Sequence, residues 1–275
     1  MSQESRKAIA QEDLNPISRV DHFYAVSSRA QELHQFLRRD LQLPEVWRFS
    51  DYGIFTSGAL SLGNAVIEVM QLEGAEGGES VEAFFEGIAL EPVGTAESAM
   101  AWMDERSLGH SALGPTGEIV DGPEPFRWVS FGVDVPPNDA EIFVCDYKSR
   151  DSVREGRENA SRELQRSGGG PLGVRAIREI VIALADLKQG ADTWASLLGQ
   201  GRLGPTGVFT LSEGPAVRLV QSPRDAIHEV VLEVASLADA KTYLESKGLF
   251  GSMGDDSLTI AAQAVQGLGI RLTEK

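Results

Sequence analysis

The segment LSLGNAVIEV, residues 60–69, lines up without a gap against LSEGPAVRLV, residues 211–220. The two share Leu, Ser, Gly, Ala, Val and the final Val. Each reads as a small-polar break with glycine followed by a short apolar, β-branched strand. Such a match between distant parts of one chain indicates an internal repeat, and a repeat governs the whole fold.

Four segments share a wider grammar of strand, small-polar break and amphipathic helix. They are HFYAV (22–26) before AQELHQFLRRDLQL, EGIAL (86–90) before TAESAMAWMDERSLG, EIVIA (179–183) before ADTWASLLG, and HEVVL (228–232) before LADAKTYLESKGL. Apolar residues fall at three- and four-residue spacing, as in Leu33, Phe36 and Leu37, Met100 and Met103, and Leu237, Ala240 and Leu244. Gly-punctuated β-branched stretches follow each helix and read as short antiparallel strands. The pentapeptide LGPTG stands beyond two of the helices, at 113–117 and 203–207, where Pro and Gly suit a tight turn. The expected fold is α+β, with four βαβββ modules arranged as two pairs. Residues 1–15 read as a loose tail and 16–150 as the N-terminal pair. DSVREGRENASRELQRSGGG (151–170) reads as a linker with one helical turn at Ser161 to Arg166, and 171–275 as the C-terminal pair.

Composition bounds the function. The chain has 275 residues, 42% of them hydrophobic, and a net charge of −16. That charge repels phosphate backbones and anionic lipid, so nucleic acid and membrane surfaces are not expected as partners. The one cysteine, Cys145, excludes an intramolecular disulfide framework and a multi-cysteine metal cluster. With a polar N-terminus and no apolar run of spanning length, the expected location is the cytoplasm. Two module pairs can complete their cups within one chain, and a homodimer stays open. Gly168–Gly170 is not followed by the Lys-Ser/Thr of a phosphate loop. No GxSxG elbow or dinucleotide-binding glycine pattern appears.

RVDHFYAV (19–26), its helix and SLGNAVIEVMQ (61–71) make the chain resemble the vicinal oxygen chelate superfamily, the glyoxalase, bleomycin-resistance and extradiol dioxygenase group. The resemblance implies paired βαβββ modules curling their strands into cups, with metal ligands on first and last strands in metal-using members. His22 matches the first-strand ligand and Glu68 the last-strand carboxylate. A His and a Glu at the middles of two strands flanking a cup can point inward together, leaving positions for substrate oxygens. In the second module, aligning Leu90 with Val26 sets Glu86 opposite His22, and a slip of one residue sets Gly87 there. The last strand, AEIFVCDYKS (140–149), offers Asp146, with Cys145 facing the other side. Such a set suits Mg²⁺, Mn²⁺, Fe²⁺ or Zn²⁺. It departs from the two-His-one-carboxylate pattern of the dioxygenases. His110 reads as structural or substrate-facing, and His34 as a solvated helix residue.

In the gapless alignment Glu68 faces Leu219 and Ile67 faces Arg218, while Leu272 takes the carboxylate position of the fourth module beside Arg271. No metal is expected in the C-terminal half. His228 reads as a strand histidine, and Arg218 and Arg271 either pair with acids or meet an anionic substrate group.

Two functions follow from the resemblance. One is a metal-dependent enzyme of isomerase, lyase or epimerase type, in which His22, Glu68 and Glu86 hold a divalent cation and Glu86 or Asp146 moves a proton. The other is a metal-free binding or drug-sequestering protein, with Phe23, Tyr24, Trp47, Phe55, Phe84, Phe85 and Trp128 as candidate walls. Either takes a small molecule as its partner.

Overall fold

The computed structural model describes residues 15–53, 55–71, 82–119, 126–199, 203–204 and 206–274. Apart from Asn15, the expected tail lies outside the described residues. Module one runs β1 (Ile17–Ser27), α1 (Ala30–Arg39), β2 (Glu45–Asp51), β3 (Thr56–Ser61) and β4 (Val66–Gln71). Module two is β5 (Phe84–Pro92), α2 (Ala96–Asp104), β6 (Gly117–Ile119), β7 (Phe126–Gly132) and β8 (Glu141–Tyr147). Helix α3 (Arg150–Arg166) follows. Module three is β9 (Val174–Leu184), α4 (Leu187–Leu198), β10 (Val208–Phe209) and β11 (Ala216–Gln221). A bridge between Leu203 and Phe209 stands ahead of its short β10. Module four is β12 (Ala226–Val234), α5 (Leu237–Lys247), β13 (Phe250–Met253), β14 (Ser257–Ile260) and β15 (Ile270–Glu274).

The first and last strands of each module pair in parallel: β1 with β4, β5 with β8, β9 with β11 and β12 with β15. Antiparallel pairing of β1 with β5, and of β9 with β12, joins the modules into the two expected pairs. Contact between β12 and β5 at Ile227 and Phe85 makes one continuous sheet of both halves. One face of the sheet packs on the helices through buried residues such as Phe23, Ile67, Ile88 and Val144. Helices α2, α4 and α5 start on Thr95, Asp186 and Ser236, whose side chains accept from the N–H three residues on.

The repeat is physical. Gly63 and Gly214, its shared glycine, both take left-handed backbone, with φ of +95° and +80°. Gln71 Nε2 donates to the Ser28 carbonyl at 3.1 Å, and Gln221 Nε2 does the same to Ala185 at 2.9 Å. The turns interlock the halves. Asn64 Nδ2 donates to the Ile177 carbonyl at 2.9 Å, while the Ile177 N–H donates to Asn64 Oδ1 at 2.8 Å. In return Ser212 Oγ donates to the Ser18 carbonyl at 2.7 Å.

Two local expectations are corrected. The 151–170 stretch carries a 17-residue helix rather than a single turn at Ser161 to Arg166. Most of its charges face outward, while Arg157, Ala160 and Leu164 bury one stripe. Gly168, Gly169 and Gly170, all at positive φ, stop it. His34 is buried rather than solvated, because it shares the inward stripe of α1 with Ala30, Leu33 and Leu37. Its ring lies 5.5 Å from that of Phe49, and Gly58 leaves the room that the His34 ring and the Phe49 backbone need.

Candidate functional site

The inner face of the N-terminal sheet forms a cup of about 150 Å³, lined by His22, Tyr24, Trp47, Phe55, Glu68, Met70, Trp128, Glu141, Phe143, Cys145 and Tyr147. That is room for one small ring. Strand alternation explains the lining: Tyr24 pairs with Glu68 on the inner face, and Phe23 with Ile67 on the core face. The structure thus brings His22 and Glu68 together. His22 Nε2 lies 3.5 Å from Glu68 Oε2, and Ser57 Oγ donates to Glu68 Oε1 at 2.6 Å.

Behind the pair stands a second buried acid. A β-bulge between Val20 and His22 breaks the alternation, so the neighbouring Asp21 reaches the imidazole, with Oδ2 at 2.7 Å from His22 Nδ1. Tyr147 Oη donates to the same Oδ2 at 3.1 Å. Arg157 of α3 bonds both Asp21 oxygens, Nη1 to Oδ1 and Nη2 to Oδ2 at 2.9 Å. Burial holds the His22 imidazole below its ordinary pKa against the pull of Glu68. Burial likewise pushes the Glu68 carboxyl up, against His22 and Ser57. In both groups burial disfavours the charged form.

At the rim, Tyr24 Oη donates to Glu141 Oε2 at 2.6 Å. Burial, and then that carboxylate, hold the Tyr24 phenol far above its ordinary pKa. Glu86 is half-buried at a bulge of β5, between the partners of Tyr24 and Ala25. Its carboxyl is pushed up by burial and by Glu141. Gly87, the one-residue alternative, faces the cup instead: a Cβ there would collide with the Tyr24 ring. Asp146 points the other way. It accepts the Ala96 N–H at 3.1 Å and pairs with Arg150 at 2.6 Å, on the helix side of β8. Cys145 is the neighbour that lines the cup, and burial pushes its thiol up to about 12, which makes it a poor nucleophile. Of the expected walls, Tyr24, Trp47, Phe55 and Trp128 line the cup. Phe23 and Phe85 stack in the core at 5.7 Å, and Phe84 is exposed.

His110 follows the C-terminal end of α2 and bridges to Val133, outside the cup lining. It meets the Ser111 carbonyl at 2.8 Å and Asp104 at 3.1 Å, and the Ser111 carbonyl, ahead of Asp104, raises its pKa. His228 is exposed at the start of β12.

The C-terminal half corrects the gapless alignment. Strand β11 begins at Ala216, one residue earlier than the aligned position of β4, so inner and outer faces exchange. Val217 and Leu219 lie in the core, and Arg218 takes the place of Glu68. Arg218 Nε donates to Glu179 at 2.8 Å, and Arg271 Nη2 to Glu229 at 2.6 Å. Two Glu–Arg ion pairs thus occupy the inner face of this half, so both arginines pair with acids.

The chemistry of the donor set decides whether a resident cation fits. His22 Nε2 and Glu68 Oε2 could serve as neighbouring ligands, with Asp21 orienting the imidazole as outer-shell carboxylates do. Module two turns Gly87, Ala89, Phe143 and Cys145 toward them. Among the described residues no group of three or more His, Cys, Asp or Glu side chains is placed to hold a metal ion. Two protein donors fall short of the three that catalytic sites hold. Among the described residues the cup does not hold a full ligand set for a resident cation. The sequence also misses Asp21, Tyr147 and Arg157. The i, i+3, i+7 spacing of Arg157, Ala160 and Leu164 is the one sequence signal that could have found the arginine.

No protein-family model matches the chain, and no curated protein matches it. Solved structures do match. A hypothetical protein from Staphylococcus aureus aligns at TM-score 0.62 and 12% identity, over 94% of this chain and 100% of that one. The Mn(II)-bound glyoxalase from Novosphingobium aromaticivorans aligns at 0.60 and 13%, over 95% and 83%. Homoprotocatechuate 2,3-dioxygenase from Arthrobacter globiformis aligns at 0.59 and 14%, over 95% and 80%. The chain has the fold of these glyoxalase and dioxygenase structures. No helix among the described residues is long and apolar enough to cross a membrane.

Proposed function

We propose that the chain is a small-molecule enzyme whose N-terminal cup carries out isomerase- or lyase-type proton transfer, with His22 and Glu68 as the acid–base pair. The observation that carries this reading is the 3.5 Å approach of His22 Nε2 to Glu68 Oε2 at the floor of an aromatic cup. Asp21 accepts the Nδ1 proton, which leaves Nε2 as a proton acceptor. A neutral imidazole then takes a proton from a bound carbon or oxygen acid, and the Glu68 carboxyl returns one to the neighbouring atom. Asp146, turned to the helices, takes no part, and Glu86 and Glu141 shape the rim. With two acids and no Lys or Arg in its lining, the cup suits a ring-sized molecule that is neutral or cationic. The neighbour described as Mn(II)-bound supports a cation in this fold, and loading this protein with Mn²⁺ tests whether substrate oxygens complete such a site here.

The test is deuterium exchange. Small enolisable ring compounds are incubated with the protein in D₂O and followed by NMR. Exchange is expected with the native chain and lost in His22→Ala and Glu68→Gln. The aromatic walls favour a second reading, sequestration without chemistry. Ligands that bind with unchanged affinity in both variants, and never exchange, would establish it.

A further inference from the structure

Helix α3, between the two halves, reaches the buried acid behind the cup through one residue. Arg157 sits in its buried stripe and lays a guanidinium on Asp21, bonding both carboxylate oxygens. Arg157 Nη2 also donates to Tyr147 Oη at 3.1 Å, and Tyr147 Oη donates onward to Asp21 Oδ2 at 3.1 Å. The guanidinium carbon stands 5.1 Å from the centre of the Tyr147 ring. Asp21 in turn holds His22 Nδ1 at 2.7 Å.

A planar fork matched to a carboxylate fixes both the charge and the orientation of that carboxylate. Arg19, whose Nη2 lies 3.7 Å from Asp21 Oδ1, is committed to Glu91 at 2.8 Å. Arg157 therefore carries the main counter-charge of Asp21. Without it, the buried carboxylate would take up a proton or draw one onto the imidazole. In either case His22 would no longer present a bare Nε2 to the cup.

We infer that Arg157 is a positioning residue: through Asp21 it locks His22 in the form with its proton on Nδ1 and Nε2 open toward Glu68. This rests on the proton-transfer reading of the same cup. It makes α3, a charged stretch between the modules, part of the working machinery of the N-terminal half.

The experiment reads the His22 ring nitrogens directly, by two-dimensional ¹⁵N NMR at one neutral pH, in the full-length chain without substrate. The native protein is expected to show a single neutral form, protonated on Nδ1. Arg157→Met should abolish that signature, with Nε2 protonated. Arg157→Lys, which restores charge without the fork, should give a mixture of forms. Arg162→Met, on the exposed face of the same helix, should match the native spectrum. A native-like single form in folded Arg157→Met overturns the inference. If that variant fails to fold, Arg157→Lys decides, and a spectrum identical to the native one overturns it. The deuterium-exchange test can fail while this spectrum behaves as expected, so the two readings are separable.

Discussion

Nε2 of His22 and Oε2 of Glu68 face each other at 3.5 Å across adjacent parallel strands. Both side chains are buried at the cup, and removing either one should separate chemistry from folding. His22→Ala and Glu68→Gln are each expected to lower proton exchange at least a hundredfold, with a shift in melting temperature of only a few degrees. Equal exchange rates in the native and variant proteins would remove the pair from the mechanism.

The same pair supplies two donors to a cation. Protein expressed without a histidine tag, incubated with Mn²⁺ and dialysed, is therefore expected to retain well under one equivalent by elemental analysis. EDTA should leave the melting temperature unchanged. Stoichiometric Mn²⁺ that is lost in His22→Ala would show that substrate-free water completes a metal site.

His34 offers a pH test away from the cup. Burial, and then Arg38, bring its pKa down to about 4, and Glu45 stands 3.9 Å from its Nε2. The unfolded chain binds this proton near pH 6.5 and the folded chain does not, so stability falls as the pH drops from about 6.5 to about 4. The loss should approach about 2–3 kcal/mol, and His34→Leu should flatten that part of the curve. Urea titrations of both proteins between pH 7 and pH 4 would show it.

Gly87 leaves the space in which Tyr24 lies. Alanine there collides with the ring and approaches the Glu141 carbonyl, so Gly87→Ala should cost about 1–3 kcal/mol. It should also displace the Tyr24 hydroxyl from Glu141, visible as altered tyrosine absorbance and a changed fit of ring-sized ligands. An unperturbed Tyr24 signal would contradict the packing described.

In the second half, Arg218→Ala strands the buried Glu179 carboxylate. Chemical denaturation should show a loss of about 3 kcal/mol. The double change Glu179→Leu with Arg218→Met, which removes both charges, should recover most of it. Equal losses in the single and double variants would mean that the ion pair itself contributes net stability.

The four-module fold was legible because its signals are periodic: apolar strands, helix stripes, and the Gly63 and Gly214 turns that the repeat shares. The site was legible only in part. His22 and Glu68 stand out because a His and an acid interrupt otherwise apolar strands. What alternation could not show was every place where the register slips by one. The bulge beside Asp21 brings that acid to His22, the bulge at Glu86 turns Gly87 inward, and the early start of β11 puts Arg218 where Leu219 was expected. The charge of 151–170 masked α3 for a different reason, since three buried positions in seventeen are enough to dock a helix.

Gln71 and Gln221 clasp equivalent carbonyls in the two halves, and the strands beneath the two inner faces pair in the same parallel register even though their side chains differ. One copy keeps a His and a Glu side by side, and the other holds an ion-paired Glu and Arg at the same positions. Under the proposed function, duplication has divided the labour between a copy that reacts and a copy held shut by its own ion pairs. A graft of His and Glu onto positions 179 and 218 would ask whether the retired copy can be returned to service.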